Sequence, residues 1–200
     1  MIIGITGGTG CGKTTALEAI RAIGGVVLDC DAIYHGLLER DSALLSAIEQ
    51  RFPGTVENGE LLRKKLGGIV FHDPEALKDL NRITHSAVRA EVEKRLGSPT
   101  ELTAIDAIGL FESGLDQLCH VTVAITAPLE DRVNRLMARD GVTREYALSR
   151  IQAQPSEEEF IRRCDHVLVN DSTQDAFFRK CLAFFHQWGI MYYNDNNKGE

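Results

Sequence analysis

The stretch "GITGGTGCGKTT", residues 4–15, follows an apolar run and concentrates glycine, lysine and threonine. Gly7, four further residues and then Gly12-Lys13-Thr14 match the spacing G-x-x-x-x-G-K-[ST] of a phosphate-binding loop. Glycines let such a backbone curl and turn successive amides toward phosphate oxygens. A strand-like run before the loop and a helical pattern after it supply the flanks that the motif requires. The stretch therefore predicts a site for a nucleoside triphosphate.

The residue types of this loop predict a division of roles. We expect Lys13 to act in catalysis by neutralising the β- and γ-phosphates, and the Thr14 hydroxyl to bind Mg²⁺. The helix that begins near Lys13 adds its N-terminal dipole. The alternative is a glycine-rich turn that happens to contain a lysine, and the full spacing disfavours it. The residues expected to bind the nucleotide here are Gly8, Thr9, Gly10, Cys11, Gly12, Lys13, Thr14 and Thr15.

The composition fits one domain, or a core domain with an insert. The chain has 200 residues and is 44% hydrophobic, which is enough apolar surface for a core. Its formal net charge of -7 disfavours a nucleic-acid partner. Its five cysteines form no C-x-x-C pair, so we expect free thiols in a reducing cytosol. No apolar run reaches the ~20 residues of a membrane span, and the strand-like start leaves no room for a signal peptide. We expect a soluble cytoplasmic protein without a membrane or nucleic-acid partner.

Five short β-branched runs are apolar at nearly every position, which is typical of parallel strands covered on both faces. Segments with helical spacing lie between them. The pattern predicts an α/β fold with a parallel sheet and helices on both sides. The five runs are residues 2–6, 26–29, 103–107, 121–126 and 166–170.

Two helical segments interrupt this alternation. The gap between the second and third runs has apolar residues at three- and four-residue intervals, which predicts an α-helical insert. A second helical pair follows the fourth run; its first helix starts near Pro128 and ends at Gly141. A small-molecule kinase needs a lid that excludes water and a pocket for the acceptor, and these two segments suit those tasks. The helical stretches of the insert are 43–52, 61–71 and 74–96.

Other classes of phosphate-loop protein fit less well. The chain has no N-K-x-D segment for reading guanine and no L-S-G-G-Q signature of transporter ATPases. The segment "DAIG", residues 106–109, imitates the D-x-x-G of a GTPase switch, but two fixed positions in four residues are weak evidence. A small-molecule kinase is the class that the motifs favour.

Two acidic residues, Asp29 and Asp31, follow the second run in "LDCDAI". Ligands of open α/β sheets lie beyond the carboxyl ends of the strands, and a D-x-D points both carboxylates the same way along an extended chain. We expect Asp31 to take the proton from the acceptor hydroxyl and Asp29 to bind Mg²⁺. The alternative is a pair of turn and capping residues, with Asp31 as the N-cap of the following helix.

Taken together, these motifs resemble the dephospho-CoA kinase family over nearly the whole chain. The loop and "VVLDCDAI" resemble its opening motifs, "NGELLRKKLGGIVF" its G-x-L-x-R-x-x-L…VF segment, and "LFESGL" its L-F-E turn. The most specific likeness is the segment that begins "RVNRLMARDGVTREYALSRIQAQ", which follows the family's R-x-x-R-D-G-x-T…R-I-x-x-Q pattern.

The resemblance implies a three-layer P-loop kinase fold with a five-stranded parallel sheet. Residues 1–31 and 101–200 would form the nucleotide-binding core, with a lid at about 128–155, and residues 32–100 a helical acceptor-binding insert. The implied reaction is ATP-dependent phosphorylation of the ribose 3′-hydroxyl of dephospho-CoA, giving CoA and ADP with Mg²⁺, by a monomer or weak homo-oligomer. The alternatives are a nucleoside or nucleotide kinase of similar fold and a nucleotide-binding regulator without turnover.

The resemblance also implies site residues outside the loop. Asp31, Arg63, His85 and Glu112 are expected to bind the acceptor, and the adenine is expected to lie beyond Asn170. On an amphipathic helix such as that of His85, a packed or capping histidine is more common than a catalytic one.

One face of the predicted lid helix carries Arg132, Arg135 and Arg139, at positions i, i+3 and i+7. The planar guanidinium offers paired donors to phosphate oxygens, so we expect some of these arginines to close over the transferring phosphates. Arg139 belongs to the R-D pair of the family pattern and is the expected catalytic residue. The alternative is a solvated face that pairs with carboxylates such as Glu130 and Asp140.

Overall fold

The computed structural model describes residues 1–96 and 102–196, with side chains described through Gln187. The domain boundary predicted between residues 100 and 101 lies outside this range. The chain divides into two compact units. The first contains the described residues of Met1–Leu28, Gly97–Phe111 and Leu115–Glu200, and the second contains Asp29–Leu96 and Glu112–Gly114.

The described chain contains two sheets. The strands are β1 Ile2–Thr6, β2 Val26–Asp29, β3 Val56–Glu57, β4 Glu60–Leu61, β5 Thr103–Asp106, β6 Val121–Thr126 and β7 His166–Val169. The larger sheet has the order β2-β5-β1-β6-β7, and β3 pairs with β4 in a separate antiparallel hairpin. The predicted α/β class with a five-stranded parallel sheet is confirmed.

Strand β1 lies in the middle of the larger sheet, between β5 and β6. Ile5 is aligned with Asp106 of β5, and Thr6 is aligned with Ala124 of β6. Because the strands are parallel, their carboxyl ends meet at one edge, where ligands lie in open α/β sheets. The glycine-rich loop leaves β1 at this edge.

Side-chain caps determine where many of the helices begin. Asp41, Asp73, Thr143 and Ser156 each accept a hydrogen bond from a backbone amide in the first turn of the helix that follows. None of the described helices is long and apolar enough to cross a membrane. The helices are α1 Lys13–Ala22, α2 Cys30–Arg40, α3 Ser42–Arg51, α4 Arg63–Val70, α5 Pro74–Arg95, α6 Leu129–Asp140, α7 Arg144–Gln152, α8 Glu157–Arg163 and α9 Gln174–Asn196, and a 3₁₀ turn spans Leu115–Leu118.

Each unit has its own hydrophobic core. In the first, Ile3 and Ile5 of β1 pack in one fully buried cluster with Phe177 of α9. In the second, the helices α2 to α5 enclose a cluster that includes Ile48 and Phe52. Burial of this apolar surface supplies most of the favourable free energy of folding.

Two local expectations were wrong. The helix expected over residues 61–71 begins at Arg63, because Leu61 belongs to the hairpin, whose turn residues Asn58 and Gly59 both have positive φ. The capping alternative for Asp31 is also wrong: Asp29 is the N-cap of α2, and its carboxylate accepts a hydrogen bond from Ala32 N at 2.9 Å.

Replacing Phe177 by alanine should destabilise the first unit strongly, because its side chain is fully buried. Losing a buried phenylalanine costs about 3–5 kcal/mol, so the Tm should fall by roughly 6–20 °C in a chain of this size. Phe71→Ala is the matched control, since Phe71 is 82% exposed, and its Tm should stay within a degree or two. Thermal unfolding followed by circular dichroism measures both, and equal shifts for the two variants would contradict the assignment of the core.

Candidate active site

The glycine-rich loop connects β1 to α1 and has the backbone of an anion-binding loop. Gly7, Gly10 and Gly12 have φ values of 139°, 77° and 99°, which side chains with a Cβ rarely adopt. Helix α1 begins at Lys13 directly after the left-handed Gly12, and no side chain caps it within the described part of the chain. The free amides of its first turn and the helix dipole therefore favour a bound anion.

Space as well as conformation requires glycine in this loop. A Cβ on Gly7 would collide with the carbonyl oxygen of Ile125, and one on Gly12 would collide with the side chain of Asn170. The Lys13 ammonium donates a hydrogen bond to the Gly7 carbonyl at 2.9 Å. The loop is thus closely packed, and its lysine lies along the loop itself.

Side chains from distant parts of the sequence bind the backbone carbonyls of the loop. Arg132 Nε donates to Thr9 O at 3.0 Å, and Arg135 donates to Gly10 O at 3.1 Å. Asn170 Nδ2 donates to Cys11 O at 2.9 Å. In a trans peptide the C=O and the following N–H point in opposite directions, so the amides of Gly10 and Gly12 face the other side of the loop. That side is where a phosphate would be bound.

Asn170 has a structural contact that the sequence analysis did not foresee. Its side chain is 5% exposed and lies under the loop, against Gly12. Its Oδ1 atom, like Thr126 Oγ1, is buried without a hydrogen-bond partner among the described residues. The contact that is present supports the loop, and the expected adenine contact stays a prediction.

Asp106 is a candidate site residue that the sequence analysis missed. It ends β5 beside the loop strand β1, and its charge acts on the thiol of Cys11 inside the loop. Burial raises the pKa of the Cys11 thiol, and the positive charges of Lys13 and Arg132 oppose that rise. The available signal was an acidic residue at the end of a strand in "DAIG", a position from which carboxylates hold Mg²⁺ in phosphate-loop proteins.

Arg139 is placed differently from the two arginines that precede it on α6. Its guanidinium donates two hydrogen bonds to Asp140, at 2.7 and 3.0 Å, and lies in solvent. Arg150 of α7 binds the same carboxylate at 2.6 Å. The hydrogen bonds from Arg139 and Arg150 lower the pKa of Asp140 to about 2. The solvated alternative thus describes Arg139 in this structure, and its contact with phosphate stays a prediction.

In the second unit, Asp29 and Asp31 lie at the start of α2. Asp29 uses Oδ1 to cap the helix, and Asp31 follows in the first turn with its side chain exposed. Asp31 is therefore free of the capping role, while Asp29 performs it. The roles of Asp31 as a base and of Asp29 as a metal ligand stay predictions.

A cavity of about 570 Å³ in the second unit contains two of the residues expected to bind the acceptor, His85 and Glu112. Arg89 also lines it and donates a hydrogen bond to Gly114 O at 2.6 Å, which holds the Glu112–Gly114 turn against α5. The α5 side of the cavity is rich in cations, so it favours an anionic ligand. The lining residues supplied by α5 are Pro74, Leu77, Lys78, Asn81, Arg82, His85, Ser86 and Arg89.

Arg63 lines a different, smaller cavity of about 240 Å³, together with Glu39, Glu60 and others. Its guanidinium lies 3.4 Å from His35 Nδ1. Of the predicted acceptor residues, His85 and Glu112 line the same cavity. Arg63 is not among the described residues that line it.

Comparison with known proteins decides the family. The model of the family described as dephospho-CoA kinase (CoaE) matches residues 1–176. The chain belongs to the dephospho-CoA kinase family. A dephospho-CoA kinase of Thermus thermophilus is 42% identical over 186 residues, which cover 92% of this chain and 89% of the relative. One from Geobacillus kaustophilus is 37% identical over 197 residues, with 96% and 98% covered.

Solved structures support the same family. The crystal structure of TT1252 from Thermus thermophilus has a TM-score of 0.75 and 39% identity, and 94% of this chain and 97% of that chain are covered. A dephospho-CoA kinase from Campylobacter jejuni has a TM-score of 0.69 at 26% identity with the same coverage. A shikimate kinase from Bacteroides thetaiotaomicron, at 16% identity and a TM-score of 0.57, shares the P-loop kinase fold. Dephospho-CoA kinases are phosphotransferases that use ATP in the final step of CoA biosynthesis.

The carboxyl group of Asp140 should titrate near pH 2 rather than near its ordinary value of 3.8. Because the pKa is lowered in the folded protein, the interaction with Arg139 and Arg150 is fully present above about pH 4 and is lost as the pH falls through 2. Carboxyl ¹³C NMR titration measures the midpoint. Arg139→Ala should move it toward 3.8, whereas Arg144→Ala, which removes a pair with Glu130, should not. A midpoint near 3.8 in the unaltered protein would show that the ion pair does not form.

Proposed function

We propose that this chain transfers the γ-phosphate of ATP to the ribose 3′-hydroxyl of dephospho-CoA, giving CoA and ADP with Mg²⁺. The observation that carries the proposal is the geometry of the loop of residues 7–12. Side chains from other parts of the chain bind three of its carbonyls, which directs amides of the loop to the opposite side. The chain that contains this loop belongs to the dephospho-CoA kinase family. Oriented amides and nearby cations are what phosphoryl transfer requires, since most of its acceleration comes from positioning and charge stabilisation.

The nucleotide is held by the loop and the first turn of α1. The amides of Gly10 and Gly12 and those that begin α1 bind phosphate oxygens. The Lys13 ammonium turns from Gly7 O to the β- and γ-phosphates. The adenine of the nucleotide lies beyond Asn170. Arg139 exchanges Asp140 for the transferring phosphate when the lid of residues 128–155 closes.

Magnesium would be held through few protein atoms. The described residues contain no cluster of three or more histidine, cysteine or acidic groups that could hold a metal ion. This fits Mg²⁺, which keeps several waters and binds one or two protein oxygens together with the phosphates. The Thr14 hydroxyl is exposed in the first turn of α1, and Asp106 ends the neighbouring strand; both are candidates beside Asp29. The ion would neutralise phosphate charge.

The acceptor binds to the helical insert proposed for residues 32–100. The diphosphate of dephospho-CoA is an anion that suits the cavity lined by Lys78, Arg82 and Arg89. His85 and Glu112 bind polar groups of the acceptor there, and Arg63 contributes from its separate cavity. Asp31 takes the proton from the 3′-hydroxyl.

The remaining expectations concern the setting of the enzyme. We propose that residues 1–31 and 101–200 form the nucleotide-binding core, and that the protein works as a monomer or weak homo-oligomer in the cytoplasm. The five cysteines are free in the structure, as expected in a reducing compartment.

A coupled assay of ADP release tests the proposal directly. Dephospho-CoA, nucleosides and nucleoside monophosphates are offered in turn with ATP and Mg²⁺. ADP release only with dephospho-CoA is the expected result. Preference for a nucleoside or nucleotide would support the alternative kinase, and ATP binding without turnover on any acceptor would support a regulator.

Lys13→Ala should lower the turnover number by several orders of magnitude, because it removes a full charge from the β- and γ-phosphate site. Steady-state kinetics of ADP release, with circular dichroism as a check of folding, measures the effect. Lys94→Ala is the matched control, since Lys94 is 80% exposed and pairs only loosely with Glu91 at 3.8 Å. Near-normal turnover in folded Lys13→Ala would rule out the loop as the donor site.

Asp31→Asn should lower kcat by ~10²–10⁴-fold, because the amide keeps the size of the side chain but cannot accept the proton. ATP affinity should barely change, since the loop is untouched. Asp29→Asn should instead give a loss that added Mg²⁺ partly restores. Parallel kinetics and calorimetric ATP titrations separate the two variants. If Asp31→Asn keeps more than about half of the kcat, the base is another group.

A further inference from the structure

Both peptide groups of Thr9, at the tip of the loop, are bound by side chains that lie far away in the sequence. The Thr9 carbonyl accepts a hydrogen bond from Arg132 Nε at 3.0 Å, and the Thr9 amide donates to Gln154 Oε1 at 2.7 Å. Arg132 belongs to α6, and Gln154 lies between α7 and α8. We call this pair of side chains the Thr9 clamp. Because both groups of one residue are fixed, the orientation of the adjoining peptides is fixed as well.

The neighbouring glycine is explained by the clamp. Gly8 does not have the left-handed φ of Gly7, Gly10 and Gly12, so its backbone alone does not require glycine. A Cβ on Gly8 would collide with the guanidinium of Arg132 and lie 3.4 Å from Gln154 Oε1. Space for the two clamp side chains is therefore what excludes a larger residue at position 8.

The buried charge of Arg132 also points to an anionic ligand. Arg132 is only 7% exposed, and no carboxylate pairs with it among the described residues, whose ion pairs involve other arginines and lysines. A buried guanidinium that donates to a neutral carbonyl and has no carboxylate beside it is costly. Its position behind the phosphate-binding loop makes that positive charge useful when phosphates are bound on the other side of the loop.

We propose that Arg132 and Gln154 are positioning residues for the donor phosphates. They hold the Thr9 peptide so that the amides of Gly10 and Gly12 converge on the phosphate, and Arg132 adds positive charge behind the loop. This inference rests on the proposed function, because it takes nucleotide phosphates as the ligand of the loop. It assigns Arg132 in the first turn of α6 and Gln154, two residues after α7, to the donor site. Arg139 near the end of α6 instead lies in solvent.

Direct measurement of ATP binding tests the clamp. Arg132→Ala and Gln154→Ala should each weaken ATP binding by ~10-fold in calorimetric titrations, because each frees one Thr9 peptide group. The KM for dephospho-CoA should not change. Arg132→Lys keeps the charge but not the Nε geometry, and should recover part of the lost affinity.

Two further measurements separate positioning from a general structural role. The double variant should weaken ATP binding less than the product of the two single effects, because both side chains act through one residue. Arg144→Ala and Gln152→Ala are the matched controls. Arg144 pairs with Glu130 in solvent and Gln152 is exposed on α7, so ATP affinity should be unchanged in both.

The contrary results are distinct. If Gln154→Ala and either Arg132 variant fold and bind ATP as tightly as the unaltered protein, the clamp does not position the phosphates. A lower Tm with unchanged ATP affinity in the folded protein would likewise reduce the two residues to a structural role and overturn the proposal. An unaltered protein that does not bind ATP at all would instead contradict the proposed function.

Discussion

The structure around the donor site depends on one constraint. The backbone carbonyls of the phosphate-binding loop must point away from the phosphate and must be bound by hydrogen-bond donors on that side. A short loop that aims its amides at an anion exposes its carbonyls on the opposite side, and buried carbonyls need donors. Arg132, Arg135 and Asn170 are those donors. The close packing of Gly8 against Arg132 and of Gly12 against Asn170 follows from the same requirement.

The topology of the sheet brings these donors to the loop. Strand β1 is central, and α6 and Asn170 follow directly from the carboxyl ends of β6 and β7, at the same edge as the loop. This arrangement divides the predicted lid into two parts. The first turns of α6 hold the loop through Arg132 and Arg135, while Arg139, Asp140 and Arg150 form an ion-pair cluster in solvent. A side chain can be recruited to a ligand more easily from such an exposed pair, since surface ion pairs contribute little to stability.

Much of the fold and of the loop could be predicted from the sequence because the signals are local. The five parallel strands and the G-x-x-x-x-G-K-T spacing each depend on a few adjacent residues. The cap of α2 was assigned to Asp31 rather than Asp29 in the capping alternative, because two acidic residues two positions apart fit the local pattern equally well. The contacts of Arg132, Gln154 and Asn170 with the loop join residues 123 to 159 positions apart. Helix periodicity applies only to Arg132 among them and indicates only which face of α6 it occupies.

The most direct test of these relationships is a crystal structure of the chain with a non-hydrolysable ATP analogue. The expected result has the Thr9 peptide in its present orientation, with Arg132 and Gln154 still bound to it and the amides of Gly10 and Gly12 within hydrogen-bond distance of phosphate oxygens. A loop whose carbonyls turn toward the nucleotide, or a nucleotide bound away from the loop, would contradict the view that the outward-held carbonyls create the donor site.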